Sequence, residues 1–300
     1  MKAPTKGPNH PLSPDSMHDS RESPPSVLAQ LSHRINDIQR LFVLTGAGCS
    51  TASGIPDYRD LAGEWKLTPP VQWHDFVNKA ASRQRYWARS LIGWPRFHDA
   101  VPAPAHQALA DLARTTRMHT VVTQNVDDLH RRAGTRNVIN LHGLLSEVVC
   151  LDCGEYSSRE RLQGRLVACN PELASASAPA GPDGDALLAN AAAEGFSVPN
   201  CLSCGGLLKP NVVFFGQNVP KSTVKQAMDQ LTRSDALLVV GSSVMVFSSY
   251  RFCRHAKALG KPLYIINRGH TRADAQADLK IEGDCNQVLP QLVRLLSPPA

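Results

Sequence analysis

Leu41-Phe-Val-Leu-Thr-Gly-Ala-Gly-Cys-Ser50 passes directly from four apolar residues into a turn of small ones. An apolar run without alternation suits a strand buried on both faces, as in a parallel sheet covered by helices. Gly46 and Gly48 would let the backbone approach a pyrophosphate, whose charge suits exposed amides and a helix N-terminus. The pattern then recurs three times. His119-Thr-Val-Val-Thr123 leads into Gln124-Asn-Val-Asp127, Ala236-Leu-Leu-Val-Val240 into Gly241-Ser-Ser243, and Pro262-Leu-Tyr-Ile-Ile266 into Asn267-Arg-Gly269. Helix-length segments separate the strands, so the expected class is α/β, a doubly wound Rossmann-like parallel sheet. Ligands of such sheets bind at the carboxyl ends of the strands, where these four polar loops would gather. The first turn is not a dehydrogenase fingerprint: Thr51 replaces the third glycine, and Glu64 stands in Gly-Glu-Trp-Lys instead of ending a second strand.

Around this frame lie less regular parts. Residues 1–26 hold six prolines, several serines and both charge signs, which reads as a disordered tail. It has no apolar core of a signal peptide, and Asp15, Asp19 and Glu22 argue against a transit peptide, so a cytoplasmic location is expected. Val27, Leu28, Leu31, Ile35 and Ile38 have helical spacing over 27–40. Residues 171–199, rich in Ala, Pro and Gly, read as a flexible excursion with room for one short helix. Of 300 residues, 42% are hydrophobic and 19% charged, enough apolar material for a core, which excludes collagen and wholesale disorder. No run reaches the roughly 18 apolar residues of a membrane span. The net charge of +6 permits an anionic partner but is too diffuse to point to one.

Eight cysteines are present, four of them as Cys150-x2-Cys153 and Cys201-x2-Cys204. Paired thiolates two residues apart converge on one tetrahedral ion, and a glycine follows each pair (Gly154, Gly205) where the turn favours a left-handed residue. The alternatives are disulfides or independent redox pairs. A structural zinc is the expectation, because four thiolates leave no open position for chemistry. The 47 residues between the pairs exceed zinc-ribbon spacing, so the pairs bracket an insertion.

Further motifs follow in order: Gly54-Ile-Pro-Asp-Tyr-Arg59, Thr123-Gln-Asn-Val-Asp-Asp-Leu-His130, Leu141-His-Gly143, Lys209-Pro-Asn-Val-Val-Phe-Phe-Gly216 and Gly283-Asp-Cys285. With the loops above, they resemble the sirtuins, NAD-dependent protein deacylases, over roughly 27–297. The wording at 85–89 and 209–216 is similar to the class II branch that includes mitochondrial lipoamidase-type deacylases. The resemblance implies a catalytic domain over 27–300, with an NAD-binding part at about 27–58, 105–145 and 210–297. A helical lid would span about 59–104 and a smaller inserted zinc module about 146–209.

It also implies a chemistry. Sirtuins cleave the nicotinamide–ribose bond of NAD, trap the ribose on the acyl-lysine carbonyl oxygen, and release 2′-O-acyl-ADP-ribose and free lysine. Attack by the 2′-hydroxyl needs a base near neutrality, which imidazole supplies. His142 matches that base, with Asn125 assisting catalysis. Gly46, Ala47, Gly48, Ser50, Gln124, Asn125, Val126, Asp127, Gly241, Ser242, Ser243, Asn267, Arg268, Gly269 and the backbone of Cys285 would contact NAD. Asp57 and Arg59 would orient the nicotinamide half and a phosphate, and Tyr58 would shield the cleaved ribose from water. Val212, Val213 and Phe215 would enclose the lysine stem, with Gly216 and 244–246 pairing the substrate as an added strand, against the plainer reading of core packing. Tyr86-x-x-Arg89 has a spacing able to bind an acidic acyl group, against the plainer reading of a solvated helix face. Trp65, Trp73 and Trp94 read as packing anchors.

Acyl-lysine side chains of proteins are thus the expected partners, with neither membrane nor nucleic acid involved. Protein mono-ADP-ribosylation could use the same NAD site. A nucleic-acid zinc ribbon and a non-catalytic NAD sensor are the competing classes; the first would show salt-dependent DNA affinity without NAD binding.

Overall fold

The computed structural model describes residues 26–66, 70–114, 118–188 and 193–296. Apart from Ser26, the expected N-terminal tail lies outside them, as does the end of the catalytic range at 297–300.

Strands β1 (Leu41–Thr45), β2 (Met118–Thr123) and β3 (Val138–Asn140) join one parallel sheet. After β4 (Gly143–Cys150), β5 (Tyr156–Ser158) and β6 (Leu208–Val212), the chain returns to it with β7 (Ala236–Val240), β8 (Leu263–Asn267) and β9 (Leu279–Glu282). The order is β3-β2-β1-β7-β8-β9. Every residue of β1, β7 and β8 is buried, as continuous apolar runs require. The edges β3 and β9 are short and only partly buried, so they carry no such run and were not foreseen. Successive crossovers leave β1 in opposite directions, toward β2 and later toward β7. That switch opens a crevice at the carboxyl ends of β1 and β7.

Helices cover both faces. On one side α1 (Val27–Asn36), α4 (Pro104–Arg114) and α10 (Cys285–Leu296) pack Leu31, Leu109 and Leu289 against Val43 and Leu238. On the other, α8 (Lys221–Arg233) and α9 (Phe247–Ala258) bring Leu231 and Phe252 against Phe42 and Val239. Helix α1 is shorter than its apolar spacing: it ends before Asp37, and the amides of Gln39 and Arg40 bond Asp235 Oδ2 at 3.2 and 2.8 Å. Those amides, fixed from a distant loop, cannot continue the helix.

The second sheet, β5-β4-β6, is antiparallel. It shares a core with α2 (Trp73–Asn78), α3 (Ala80–Asp99) and α6 (Arg159–Cys169), built from Phe76, Trp87, Leu91, Val148, Leu162, Leu166 and Phe214. Within the insertion, residues 171–180 are mostly exposed, as an excursion would be, whereas the described residues from Gly181 onward bury Gly181, Gly184, Ala186, Ala193 and Phe196. Short α7 (Pro171–Ala174) is followed by a turn at 182–184 that sits on α3, with Ala186 and Phe196 buried. A Cβ on Gly93 would lie 2.1 Å from the Gly184 carbonyl oxygen, so small residues permit close backbone contact here. The composition that reads as flexible is also what dense packing of a chain against a helix needs. Among the described residues no helix is long and apolar enough to cross a membrane.

Candidate active site

At the carboxyl ends of the parallel strands, facing β6, lies a cavity of about 850 Å³. It gathers the loops expected to meet there: Gly46, Ala47 and Gly48 after β1, Gln124, Asn125 and Val126 after β2, Gly241, Ser242 and Ser243 after β7, Asn267 and Arg268 after β8, and Cys285 at the start of α10. Asp57, Tyr58, Arg59, His142, Val212, Val213, Phe215 and Gly216 line it as well.

Glycines 46 and 48 work differently from the sequence expectation. Their amides are not free for a ligand; they donate to Val240 O at 3.1 Å and Gly241 O at 2.9 Å. A Cβ on Gly46 would stand 2.7 Å from Ser242 Cβ, and one on Gly48 2.9 Å from Gly241 Cα. These glycines let the two loops touch, which makes one continuous cavity floor from β1 and β7. Gln124 ties a third loop to it, donating from Nε2 to Ser242 Oγ at 2.6 Å. Val244, on the same rim, has φ of 46°, a left-handed strain for a β-branched residue that the surrounding contacts hold.

His142 is fixed by its own backbone and ring. Leu141 N–H donates to Thr123 O at 2.8 Å, and Val213 N–H donates to His142 O at 2.8 Å, which hangs the residue between the two sheets. Gly143, with φ of 84°, lets the chain turn directly beneath Asn211 O. The ring Nδ1 lies 3.0 Å from Gln124 O. A carbonyl only accepts, so Nδ1 carries the hydrogen and Nε2 keeps its lone pair toward the cavity. Burial of the ring, helped by the positive charge of Arg251 and opposed by the Gln124 carbonyl, brings its pKa down to about 4. The imidazole is therefore neutral at physiological pH, the state a base requires.

Ser50 and Asp127 do not line the cavity but stand behind it. Ser50 Oγ donates to Asp127 Oδ2 at 2.6 Å, and Asn125 Nδ2 donates to Ser50 Oγ at 3.0 Å and Gly46 O at 3.1 Å. Behind them, fully buried His106 accepts the Ala103 amide at Nδ1 (3.0 Å), leaving Nε2 3.5 Å from Ser50 Oγ. His130 lies against His106 and bonds Thr45 Oγ1 at 2.8 Å. Desolvation pushes both histidines below the ordinary range. Gly269 is also outside the lining; its Cα approaches Leu61 too closely for any Cβ.

Tyr58, Trp65 and Phe215 form an edge-to-face cluster, with centroids 5.3 to 5.9 Å apart, and the Arg59 guanidinium stands 4.1 Å over Trp65. Trp65 is thus part of the cavity wall, not only a packing anchor.

Tyr86 and Arg89, expected to read an acidic acyl group, are not brought to this cavity. Helix α3 turns Tyr86 into a buried cluster with Phe76, Trp87 and Phe214. Arg89 pairs with Asp185 of the insertion at 2.6 Å. Spacing put both residues on one helix side but could not say which partner that side meets. Sequence reading also missed Ser248 and Arg251, both in the lining; Ser248 Oγ lies 3.0 Å from His142 Nε2. Neither residue belongs to a motif that could have signalled it.

Cys150, Cys153, Cys201 and Cys204 converge, all four sulfurs lying within 4.8 Å of one another. Two of the separations, 3.5 Å for Cys150–Cys204 and 3.8 Å for Cys153–Cys201, match the edge of about 3.8 Å in a tetrahedron of Zn–S bonds. The donor set fits one zinc ion.

The chain is similar to known proteins along most of its length. The description "Sir2 family" matches residues 46–248. An NAD-dependent protein deacetylase of Xanthomonas axonopodis pv. citri is 51% identical over 268 residues, covering 88% of this chain and 92% of the relative. NAD-dependent protein deacetylase 2 of Bradyrhizobium diazoefficiens is 51% identical over 255 residues, 85% of this chain and 93% of its own. Among solved structures, a Sir2 homolog–NAD complex superposes with a TM-score of 0.69 at 31% identity, covering 89% of this chain and 93% of that one. A Sir2–p53 peptide–NAD+ complex superposes with a TM-score of 0.71 at 29% identity, covering 89% and 97%.

Proposed function

The chain belongs to the Sir2 family, and from that premise we infer that it is an NAD-dependent protein deacetylase, releasing nicotinamide and passing the acyl group of a lysine to ADP-ribose. The observation that carries the assignment is the His142 ring: its Nδ1–H is committed to Gln124 O, and its Nε2 lone pair faces the shared cavity.

The cavity suits both substrates. Gly46, Ala47, Gly48, Gly241, Ser242 and Ser243 form the floor on which the NAD phosphates and one ribose would rest. Asn267, Arg268 and the Cys285 backbone would take the adenosine end. Asn125, with Ser50 and Asp127 holding it from behind, would orient the nicotinamide carboxamide. When bound, NAD supplies an electrophilic ribose carbon as its nicotinamide leaves. Tyr58, Trp65 and Phe215 would keep water from that carbon. His142 Nε2 would then accept the proton of a ribose hydroxyl, while Nδ1–H stays on Gln124 O and keeps the ring in place. Val212, Val213 and Phe215 would flank the lysine stem, and the backbone at Gly216 and 244–246 would pair with the peptide backbone. The four cysteines would hold one zinc that fixes β4 and β6, without a part in the reaction.

Apolar walls and the engagement of Arg89 by Asp185 support an uncharged acyl group, such as acetyl or a longer aliphatic chain. The wording at 85–89 and 209–216 supports a place near the lipoamidase-type class II deacylases. Four converging thiols and no disulfide among the described cysteines support a reducing compartment, the cytoplasm. The direct test is a panel of acylated lysine peptides incubated with NAD and read by mass spectrometry. Deacylated peptide together with acyl-ADP-ribose supports the assignment; ADP-ribose retained on protein would point instead to transferase activity.

A further inference from the structure

Ser248 lies in the first turn of α9, half-buried on the cavity wall. A serine near the start of a helix ordinarily bonds local backbone. Its neighbour Ser249 does so, donating to Val246 O at 3.0 Å. Ser248 instead aims its Oγ at His142 Nε2, 3.0 Å away. Because Nδ1 carries the ring hydrogen, that contact has one polarity in the resting protein: the Ser248 hydroxyl donates and Nε2 accepts.

The reaction then sets a problem. When His142 takes a proton, it becomes an imidazolium in a recessed site that disfavours charge, facing the Arg251 guanidinium from the same helix. The new Nε2–H needs an acceptor within reach. We propose that Ser248 is a positioning residue for His142: its hydroxyl donates to Nε2 in the resting enzyme, turns its hydrogen away to free the Nε2 lone pair as the ribose hydroxyl arrives, and, once that hydroxyl has given its proton to Nε2, accepts from the imidazolium N–H. Ser248 keeps its own proton throughout. The transferred proton leaves the ribose oxygen and ends on Nε2, and Nδ1–H remains on Gln124 O. Charge-assisted hydrogen bonds are roughly twice as strong as neutral ones, so the contact gains strength as the base is protonated. That is the differential a catalytic step uses.

This proposal rests on the deacetylase assignment, and the experiment separates the two. His142 acts after nicotinamide has left, so the exchange of labelled nicotinamide into NAD reports the steps before the base, and deacylation reports the base itself. With an acetyl-lysine peptide, Ser248→Ala is expected to lose about 10-fold in deacylation. Its exchange rate and its KM for NAD stay within about twofold, and Ser248→Thr, which keeps the hydroxyl, recovers most of the loss. Equal deacylation by Ser248→Ala and wild type overturns the proposal, and so does a parallel fall in exchange and deacylation, which would mark a merely structural residue. A wild-type enzyme without NAD-dependent deacylation would overturn the functional assignment itself.

Discussion

A hydrogen on Nδ1 of one imidazole orders much of this site. Gln124 O fixes the tautomer, Gly143 permits the turn beneath it, and burial, with a smaller part from Arg251, keeps the ring neutral. His142 was legible only through its surrounding motif, because a histidine beside a glycine carries no chemistry in its spacing. Ser248 was not legible at all; what identifies it is the direction of one hydroxyl. Tyr86 and Arg89 show the converse, a suggestive spacing spent on packing and on the Asp185 pair. Substituting Arg89→Met should therefore leave the ratio of desuccinylation to deacetylation unchanged while lowering stability by about 1 kcal/mol or less, since the pair is partly exposed. Kinetics on matched succinyl and acetyl peptides check this; a selective loss of desuccinylation would restore the acidic-acyl role.

At the scale of elements, strands buried on both faces announce themselves. The runs at β1, β7 and β8 were readable because each residue had to be apolar. Edge strands β3 and β9, with half-buried positions, carry mixed residues and blend into loops. The zinc module shows both outcomes: cysteine spacing revealed its ligands, but the packing of its insertion on α3 depends on contacts distant in sequence. Since Cys150 ends β4 opposite Leu208 of β6, and β6 delivers Val212 to the cavity, metal and active site are mechanically linked. Removing zinc with a strong chelator should release one ion per chain, expose 146–209 to proteolysis before the parallel sheet, and abolish most deacylation. Full activity in metal-free protein would contradict that link.

Taken whole, the molecule is a parallel sheet whose switch point meets a second sheet carrying the four-cysteine cluster, with buried histidines behind the junction. His106, His130 and His142 all have pKa values below the ordinary 6.5 because burial penalises their charged forms. The unfolded chain takes up protons below about pH 6.5 that the native state refuses, so stability is full above that pH and falls as pH drops toward the folded values. Melting temperature should hold from pH 8 to 7 and decline below about 6.5; a flat profile down to pH 5 would contradict the neutral-histidine interior. One assay tests whether His142 in this cavity drives NAD-dependent deacylation. Acetyl-lysine peptide and NAD are incubated with wild type or His142→Ala, and every product is weighed by mass spectrometry. Wild type should give nicotinamide, acetyl-ADP-ribose and free lysine peptide, with deacylation by the variant lower by roughly 10²- to 10⁴-fold. Undiminished deacetylation by His142→Ala, or acetyl loss that does not require NAD, would contradict it.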